Sequence, residues 1–409
     1  MISDRIKDAY IEYAKEVNAH RALPLVYDGL KTVQRRLLIN GSRICANNLV
    51  KSATIIGETM ANNHPHSDVS LYGTLVNMVN DYEPMFDGQG NWGGYQTPYA
   101  AARYTSVRLS KFAIEYYLPY IKYSEMVEND LGHMENSYIP TPIPYALVNG
   151  TTGIGTGVGT TIPAFTKDSL VEYVKWLLSP GRRSAPELKV NWPDYEIDSE
   201  VLTTGAGKIK YNLIYNQSVL DETEVFIIDG NPPYFDIEAM LFKTFSTEID
   251  ANKVFIRNES GKGKVRFIVG KVRWINMDTI REKLQGLSKA VSIQMIWSMG
   301  PNCKPQTKKF SPAQVLEESL KLYTKAADDW KIDKMEKINV EIKFHTIKHR
   351  IVDMLFHKQT WNSIQEVIKL SDEELIFVKT KSISQLSSEI NPVPELEKSI
   401  NKIERTKYL

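Results

Sequence analysis

The chain has 409 residues, 42% of them hydrophobic and 24% charged, ordinary values for a globular protein of two or three domains. No apolar run approaches the roughly 18–20 residues of a membrane helix, and the charged, amphipathic stretch from Met1 to Lys15 excludes a signal peptide. A net charge of +1 excludes a uniformly basic nucleic-acid binder, and two distant cysteines, Cys45 and Cys303, exclude a disulfide framework and fit a reducing cytoplasm.

Residues 4–19 are predicted helical, with Ile6, Tyr10, Tyr13, Ala14 and Val17 at helical spacing. Arg21 to Gly29 is a turn-rich connector holding Pro24 and Asp28-Gly29. A second helix is expected over 30–46, with Val33, Leu37, Leu38 and Ile44 on one side. A short third runs from Lys51 to Asn62, burying Ile55, Ile56 and Met60. A fourth covers 65–80, with Leu71, Leu75, Val76 and Val79 apolar. Short helices joined by tight turns suit a helix-turn-helix module, and the glycine-rich stretch Gly88 to Gly94 reads as a turn or hairpin wing.

Pro140, Pro142 and Pro144 then bracket a strand-like stretch, followed by Gly150, Gly153, Gly155, Gly157 and Gly159. Between 185 and 300, strand-like runs (Lys208–Ile214, Val225–Ile228, Val265–Val272) alternate with helices near 236–245 and 277–287, a mixed α/β pattern. Ser311 as N-cap, Pro312 in the first turn and Gln314 three residues after the cap mark a helix start. Helical patterning continues to the end, with Ile347, Ile351, Met354 and Leu355 on one stripe and an interruption at Asn391-Pro-Val-Pro394. A long charged tail of this kind reads as an arm or coiled coil. The expected division is 1–135, 136–305 and 306–409, an α+β multidomain chain.

Charge is concentrated locally. Residues 31–51 hold Lys31, Arg35, Arg36, Arg43 and Lys51 without an acid, and residues 103–111 hold Arg103, Arg108 and Lys111 without one. Two basic islands on a neutral chain suggest a local anionic partner, and solvated helix faces are the alternative. Other motifs fail on inspection. No window of the glycine cluster satisfies G-x-G-x-x-G, and Gly205-Ala-Gly-Lys208 lacks the first glycine and the hydroxyl residue of a P-loop. His64 and His66 have only Asp68 nearby as a third metal ligand, and no metal site is expected on this chain.

Ala100-Ala-Ala-Arg-Tyr-Thr105 carries the chemistry. Alone it is a half-buried tyrosine beside a solvated arginine. A phenol can also attack a phosphodiester if its proton is removed and the phosphate charge is met. The phosphotyrosine product conserves the bond energy for resealing. Arg103 would stabilise the phosphoryl oxygens, and His64 and His66, opening a helix, would add a phosphate-favouring N-terminus.

Eight short motifs fall in one order: Arg21-Ala-Leu-Pro24, Asp28-Gly-Leu-Lys31, Gln34-Arg-Arg-Leu37, Lys51-Ser-Ala53, His64-Pro-His-Ser-Asp68, Asp87-Gly-Gln-Gly-Asn91, Ala100-Ala-Ala-Arg-Tyr104 and Asn149-Gly-Thr-Thr-Gly-Ile-Gly155. In that order they resemble the breakage–reunion subunit of type IIA DNA topoisomerases, the counterpart of gyrase A and topoisomerase IV A. The triple alanine before Arg103 and the run Gly153 to Gly157 look closer to the eukaryotic branch. That mixture is similar to the medium subunits of T-even-type phage enzymes, which would place the chain in a host bacterial cytoplasm.

The resemblance implies a winged-helix domain, a mixed α/β tower, and a coiled-coil arm ending in a dimer gate. It implies Tyr104 as the catalytic tyrosine forming a 5′-phosphotyrosine and Arg103 as its phosphate-stabilising neighbour. It puts Lys31, Arg35, Arg36, Lys51, His64 and His66 near the cleaved DNA, and Ile154 as an apolar wedge that bends it. It implies a homodimer acting on double-stranded DNA with gyrase B-like partner subunits that bind ATP and most of the Mg²⁺. Tyr27 stands where gyrase A chains carry arginine. Val69 and Gly73 stand where bacterial enzymes carry the hydroxyl and the acid that anchor quinolones. With the helical arm running to Leu409, no DNA-wrapping domain is expected, hence relaxation and decatenation without negative supercoiling. The rival readings are a non-enzymatic helix-turn-helix scaffold and a tyrosine recombinase. The recombinase's Arg/His/Arg pattern ahead of a C-terminal tyrosine is absent.

Overall fold

The computed structural model describes residues 17–95, 97–179, 184–261, 264–272, 275–300, 307–357 and 392–405, with isolated positions between 6 and 14 and between 364 and 368. Cys303, Asn391 and most of the expected N-terminal helix and dimer gate lie outside the described residues. The chain divides into two compact units, Met1–Tyr323 and Thr324–Leu409.

The first unit opens with three helices, α1 (Thr32–Ile44), α2 (Ser52–Asn62) and α3 (Asp68–Asn80). Leu37, Leu38, Ile55, Leu71 and Leu75 recur at helical spacing and are fully buried, whereas Met60 and Val79 are only half-buried. α3 starts at Asp68, not at residue 65, because Ser67 takes a non-helical backbone (ψ 122°) as its N-cap. His64 and His66 therefore sit in the turn ahead of the helix. Beside the helices lies a small antiparallel sheet, with β3 (Ser106–Leu109) between β1 (Val50–Lys51) and β2 (Phe86–Gln89). The glycine-rich stretch does lie on a hairpin, β2 with β3, joined by a long loop after Gln89. A short α4 (Lys111–Tyr116) and a second hairpin, β4 (Met126–Glu128) with β5 (Met134–Asn136), follow.

The stretch from Pro140 to Pro144 is not a strand. It is a buried irregular run leading into α5 (Tyr145–Asn149), since a proline has no N–H to give a ladder. The Tyr117 hydroxyl lies 2.9 Å from the Asp28 carbonyl and 3.0 Å from that of Ile143, supplying the partners that a sheet would have given.

Beyond it, β6 (Thr151–Ile154) and β7 (Gly159–Ile162) make a hairpin on the edge of a five-stranded sheet. After α6 (Lys167–Leu177) come β8 (Tyr195–Ile197), α7 (Ser199–Thr204) and β9 (Ala206–Asn212). Gly205 ends α7 at φ +75°, a left-handed position where a Cβ would fall 2.2 Å from the Phe310 carbonyl oxygen. The glycines that mimic a P-loop thus serve a helix terminus.

A four-stranded sheet in the order β10, β11, β13, β12 comes next: β10 (Asn216–Leu220), β11 (Thr223–Asp229), β12 (Val254–Asn258) and β13 (Arg266–Lys271). α8 (Ile237–Thr244), α9 (Ser246–Asp250) and α10 (Met277–Gln285) accompany it. Its core joins Phe226, Ile228 and Phe267 of the strands to Leu241, Ile280 and Leu284 of the helices. The alternating inward residues of the strands meet the helical stripes there, as the sequence periodicity requires. β14 (Ser288–Gln294) returns to the five-stranded sheet between β7 and β9, and β15 (Ile296–Ser298) pairs with β16 (Thr307–Lys309).

The helix start at Ser311 is as expected. α11 (Pro312–Phe356) opens with the Gln314 amide bonded to the Ser311 Oγ at 3.3 Å and the Ser311 amide to the Gln314 Oε1 at 3.0 Å. In the second unit Ile351, Val352 and Ile364 form a small core with Ile347, Met354 and Ile368 against it, and α12 spans Val393–Arg405.

Candidate functional site

Tyr104 sits on a turn at the end of the β2–β3 loop, its amide bonded to the Ala101 carbonyl at 2.9 Å. Its ring is 64% exposed, a free phenol on a fixed backbone. Both sides of the turn are held. The buried Tyr72 of α3 donates its hydroxyl to the Ala100 carbonyl (2.5 Å) and meets Thr105 Oγ1 at 2.9 Å. Thr105, fully buried, donates to Ser52 Oγ at 2.8 Å, and its carbonyl accepts from the Ser52 amide at 3.0 Å. A buried polar network of this kind is costly to break, which fixes the turn more firmly than an exposed loop would be. The Arg103 guanidinium lies 4.6 Å from the Tyr104 ring centroid, so the cation and the phenol share one exposed surface. Lys51, also exposed, is the strand partner of Ser106, two residues beyond Tyr104.

A second cluster closes on Arg36. Its guanidinium is buried and forks onto Glu135 of β5, Nε to Oε2 at 3.0 Å and Nη2 to Oε1 at 2.9 Å. Asn63, itself held by Asn40 at 2.8 Å, donates to the same carboxylate at 2.9 Å. The remaining arm, Nη1, lies 2.9 Å from His64 Nδ1. Guanidinium can only donate, so Nδ1 accepts and the neutral ring carries its proton on Nε2. Burial, then the Arg36 charge, then His66 push His64 down to about 4, against smaller opposing effects of Glu135 and Asp130. His64 is therefore a neutral donor at physiological pH. His66 stacks edge-on against it at 4.7 Å.

The third group surrounds Ile154, which is 95% exposed at the tip of the β6–β7 hairpin. Asn18 holds the tip by accepting from the Thr156 amide (2.8 Å) and donating to its carbonyl (3.1 Å). Gly153 and Gly155 are required by this approach, since a Cβ on either would fall 2.0 Å from Ala22 O or Asn18 Oδ1. Lys31 reaches the same hairpin, its Nζ 2.7 Å from the Thr152 carbonyl, and burial lowers its pKa. Arg21, Lys31, Thr152, Ile154, Thr160 and Gln294 line an open cleft of about 710 Å³.

The expected basic island over 31–51 is thus not a solvated stripe. Arg35 is buried against Asp28, Nε to Oδ2 at 2.6 Å, while Asp28 also accepts from the Leu30 and Ile139 amides at 2.9 and 3.0 Å. Arg36 is occupied by Glu135. Both guanidinium groups are turned into the fold and stabilise it, leaving Lys31, Lys51 and Arg103 nearer the surface. Nor does a single chain assemble Tyr104 with the histidines. Thr105 is fixed at the first turn of α2 and His64 follows its last, and an eleven-residue helix is about 16 Å long. Because α3 begins at Asp68, the histidines do not open its first turn as the sequence suggested. Sequence reasoning missed Tyr72, Thr105, Glu135 and Asn18, ordinary residue types whose roles come from contacts 28 to 138 positions away. Among the described residues no three His, Cys, Asp or Glu side chains gather as a cation site. No described helix is long and apolar enough to cross a membrane.

Residues 21–407 match the family of the DNA gyrase/topoisomerase IV A subunit. The chain is 29% identical to the DNA gyrase A subunit of Haloquadratum walsbyi over 309 residues, which is 69% of this chain and 35% of that protein. It is 34% identical to the DNA topoisomerase 4 A subunit of Escherichia coli K12 over 223 residues, 49% of this chain and 28% of that protein. Against the DNA gyrase A subunit of Campylobacter jejuni the identity is 32% over 251 residues, 56% of this chain and 29% of that protein. The matched part spans about a third of the length of these relatives.

Proposed function

The chain belongs to the DNA gyrase/topoisomerase IV A family, and on that premise we propose that it cleaves and rejoins double-stranded DNA as part of a type II topoisomerase. The observation that carries this reading is Tyr104 itself: an exposed phenol on a turn clamped by Tyr72 and Thr105, with a guanidinium against its ring. In the proposed step the Tyr104 oxygen attacks a backbone phosphorus and the bond to the 3′ oxygen breaks. The phenol gives up its proton, the leaving 3′ oxygen gains one, and the 5′ phosphate stays on the tyrosine. Arg103 meets the charge developing on the phosphoryl oxygens. The reverse attack by the 3′ hydroxyl reseals the strand, so no ATP is consumed at that step.

The remaining residues bind and orient. Neutral His64, its Nδ1 capped by Arg36, offers Nε2–H as a donor to a phosphate oxygen, and Arg35 and Arg36 act by positioning. Ile154 is the wedge: burying an apolar side chain between bases repays the exposure the free protein accepts. Lys31 and Lys51 hold the backbone of the bent segment. The roughly 16 Å that α2 places between the Tyr104 turn and His64 supports a two-fold homodimer, in which one phosphate meets Tyr104 of one protomer and His64 of the other. The three-part division into a winged helix over 1–135, a tower over 136–305 and an arm with a dimer gate over 306–409 belongs to the same proposal. So do gyrase B-like partners holding ATP and Mg²⁺, the likeness to phage medium subunits and a cytoplasmic setting.

The net charge of +1 offers no broad basic surface for wrapping DNA. The activity proposed is therefore ATP-dependent relaxation and decatenation without negative supercoiling. One reconstitution tests the reading: the chain, gyrase B-like subunits, plasmid and Mg²⁺, stopped with detergent and run on gels. Wild type should yield protein-linked broken DNA and Tyr104→Phe none, with no negative supercoils from relaxed circles. Tight but wholly noncovalent binding by wild type would favour the scaffold reading.

A further inference from the structure

The loop that carries Tyr104 has a second anchor, on the four-stranded sheet and its helices. Residues 91–95 and 97–100 form a lobe. Its base is pinned where the Ala100 amide meets the Asn91 carbonyl at 3.0 Å, and the Trp92 carbonyl accepts from Asn80 of α3 at 2.8 Å. Its tip is a tight turn in which Gly94 and Thr97 exchange backbone hydrogen bonds at 3.1 and 3.2 Å. Tyr95 projects from that tip onto the four-stranded sheet domain. Its ring packs edge-on against Phe267 of β13 at 5.6 Å and joins the core built around Phe226 and Leu241. Its hydroxyl accepts from the Glu238 amide at 3.2 Å and lies 3.4 Å from Asp236 Oδ1. Asp236 is the N-cap of α8, accepting from the Ala239 amide at 3.1 Å, so the Tyr95 hydroxyl takes up another free amide of that helix's first turn.

We infer that Tyr95 is a positioning residue for the Tyr104 chemistry, coupling the orientation of the sheet domain to the loop that presents the nucleophile. The lobe leaves the helical core at Asn91, touches the sheet domain at Tyr95 and rejoins the core at Ala100, four residues before Tyr104. With base and tip both fixed, a movement of β13 and α8 relative to α3 loads the segment between Asn91 and Ala100, which leads into the Tyr104 turn. The clamp on Ala100 and Thr105 alone would hold the backbone of the turn. The contact at Tyr95 adds a restraint from the sheet domain on the segment that leads into that turn, and so bears on how the phenol is set. An off-line phenol forfeits most of its reactivity, because a displacement of about 1 Å in a reacting group costs on the order of 100-fold in rate.

The inference rests on the proposed role of Tyr104, and its test separates the two. Tyr95→Ala removes ring and hydroxyl. Tyr95→Phe keeps the packing on Phe267 and removes only the hydroxyl. Two readouts are taken on the full chain: amide hydrogen exchange over residues 90–105 without partners, and the rate of covalent DNA attachment per bound DNA in the reconstituted enzyme. Tyr95→Ala should raise exchange across the loop and slow attachment about 10-fold or more. DNA affinity and thermal melting of α1 to α3 should stay near wild type, and Tyr95→Phe should recover most of the rate. A residue that merely supports the fold would lower affinity and melting together with rate. Unchanged loop exchange in Tyr95→Ala overturns the inference, whether or not the enzyme cleaves. So does a wild-type attachment rate in that variant. Absence of covalent attachment in wild type counts against Tyr104 instead, and the exchange result then decides the Tyr95 contact by itself.

Discussion

Ile154→Ala separates the wedge from the fold. The side chain is 95% exposed at a hairpin tip, so folding buries almost none of it, and its removal should cost the free protein only the sub-kilocalorie preference of a strand for a β-branched residue. In bent DNA the same side chain would be buried. Alanine lacks three of its carbons, and at roughly 0.8 kcal/mol for each buried group the loss is about 2.4 kcal/mol, or on the order of 60-fold in the bent-to-straight equilibrium. Total DNA affinity should fall far less, because phosphate contacts supply most of it and remain salt-dependent. Fluorescence transfer between dyes on the ends of a short duplex reads the bend, a salt titration reads the binding, and urea unfolding reads the stability. Wild-type bending in the variant would refute the wedge. An unfolding free energy lowered by several kcal/mol would show that Ile154 is a packing residue and refute the reasoning from its exposure.

Glu135→Ala should destabilise the first unit by about 3–5 kcal/mol in urea unfolding, because it leaves the buried Arg36 charge without its carboxylate. A loss under about 1 kcal/mol would mean that Arg36 is solvated. Asp81, bonded by the Tyr145 hydroxyl, is pushed up to about 6 by burial, above its ordinary 3.8. Its contribution to stability is fully present below about pH 4 and lost as pH rises through 6, so Asp81→Asn should gain about 1–2 kcal/mol on wild type between those limits, after a discount for partial exposure. Parallel stability curves for the two proteins would contradict this. At the start of α3, Val69 is 71% exposed and a Cβ on Gly73 would meet open space. Wild-type cleavage should respond weakly to quinolones, and Val69→Ser with Gly73→Glu should fold and respond at lower drug concentration. Equal responses would place the drug contacts elsewhere.

The sequence made the helices of the first module legible because their apolar residues repeat at 3.6 and their ends carry turn chemistry. Ser311, Pro312 and Gln314 alone were enough to locate the start of α11. Two strands of the four-stranded sheet, β11 and β13, were readable as β-branched runs between turns, whereas β10 and β12 were not. What was hidden lies in pairings across the chain. Arg35 and Arg36 read as part of a basic island facing an anionic partner because Glu135 is 99 positions from Arg36, and Asp28, only seven from Arg35, was assigned to a turn. The proline run at 140–144 looked extended because periodicity cannot distinguish a strand from a buried segment whose carbonyls are met by a distant tyrosine. Of the site, Arg103–Tyr104 and Ile154 were visible through the ordered motifs. The Tyr72 and Asn18 clamps were not, since nothing local distinguishes a tyrosine or asparagine that reaches across the fold.

The central claim is a covalent bond between DNA and the oxygen of Tyr104. The chain should be incubated with gyrase B-like subunits, duplex DNA and Mg²⁺, denatured, digested with nuclease and protease, and its peptides sequenced by mass spectrometry. The peptide containing Arg103 and Tyr104 should carry a nucleotide linked through its 5′ phosphate to Tyr104, and Tyr104→Phe should carry none. A nucleotide on any other residue, or an adduct that survives in Tyr104→Phe, would contradict it.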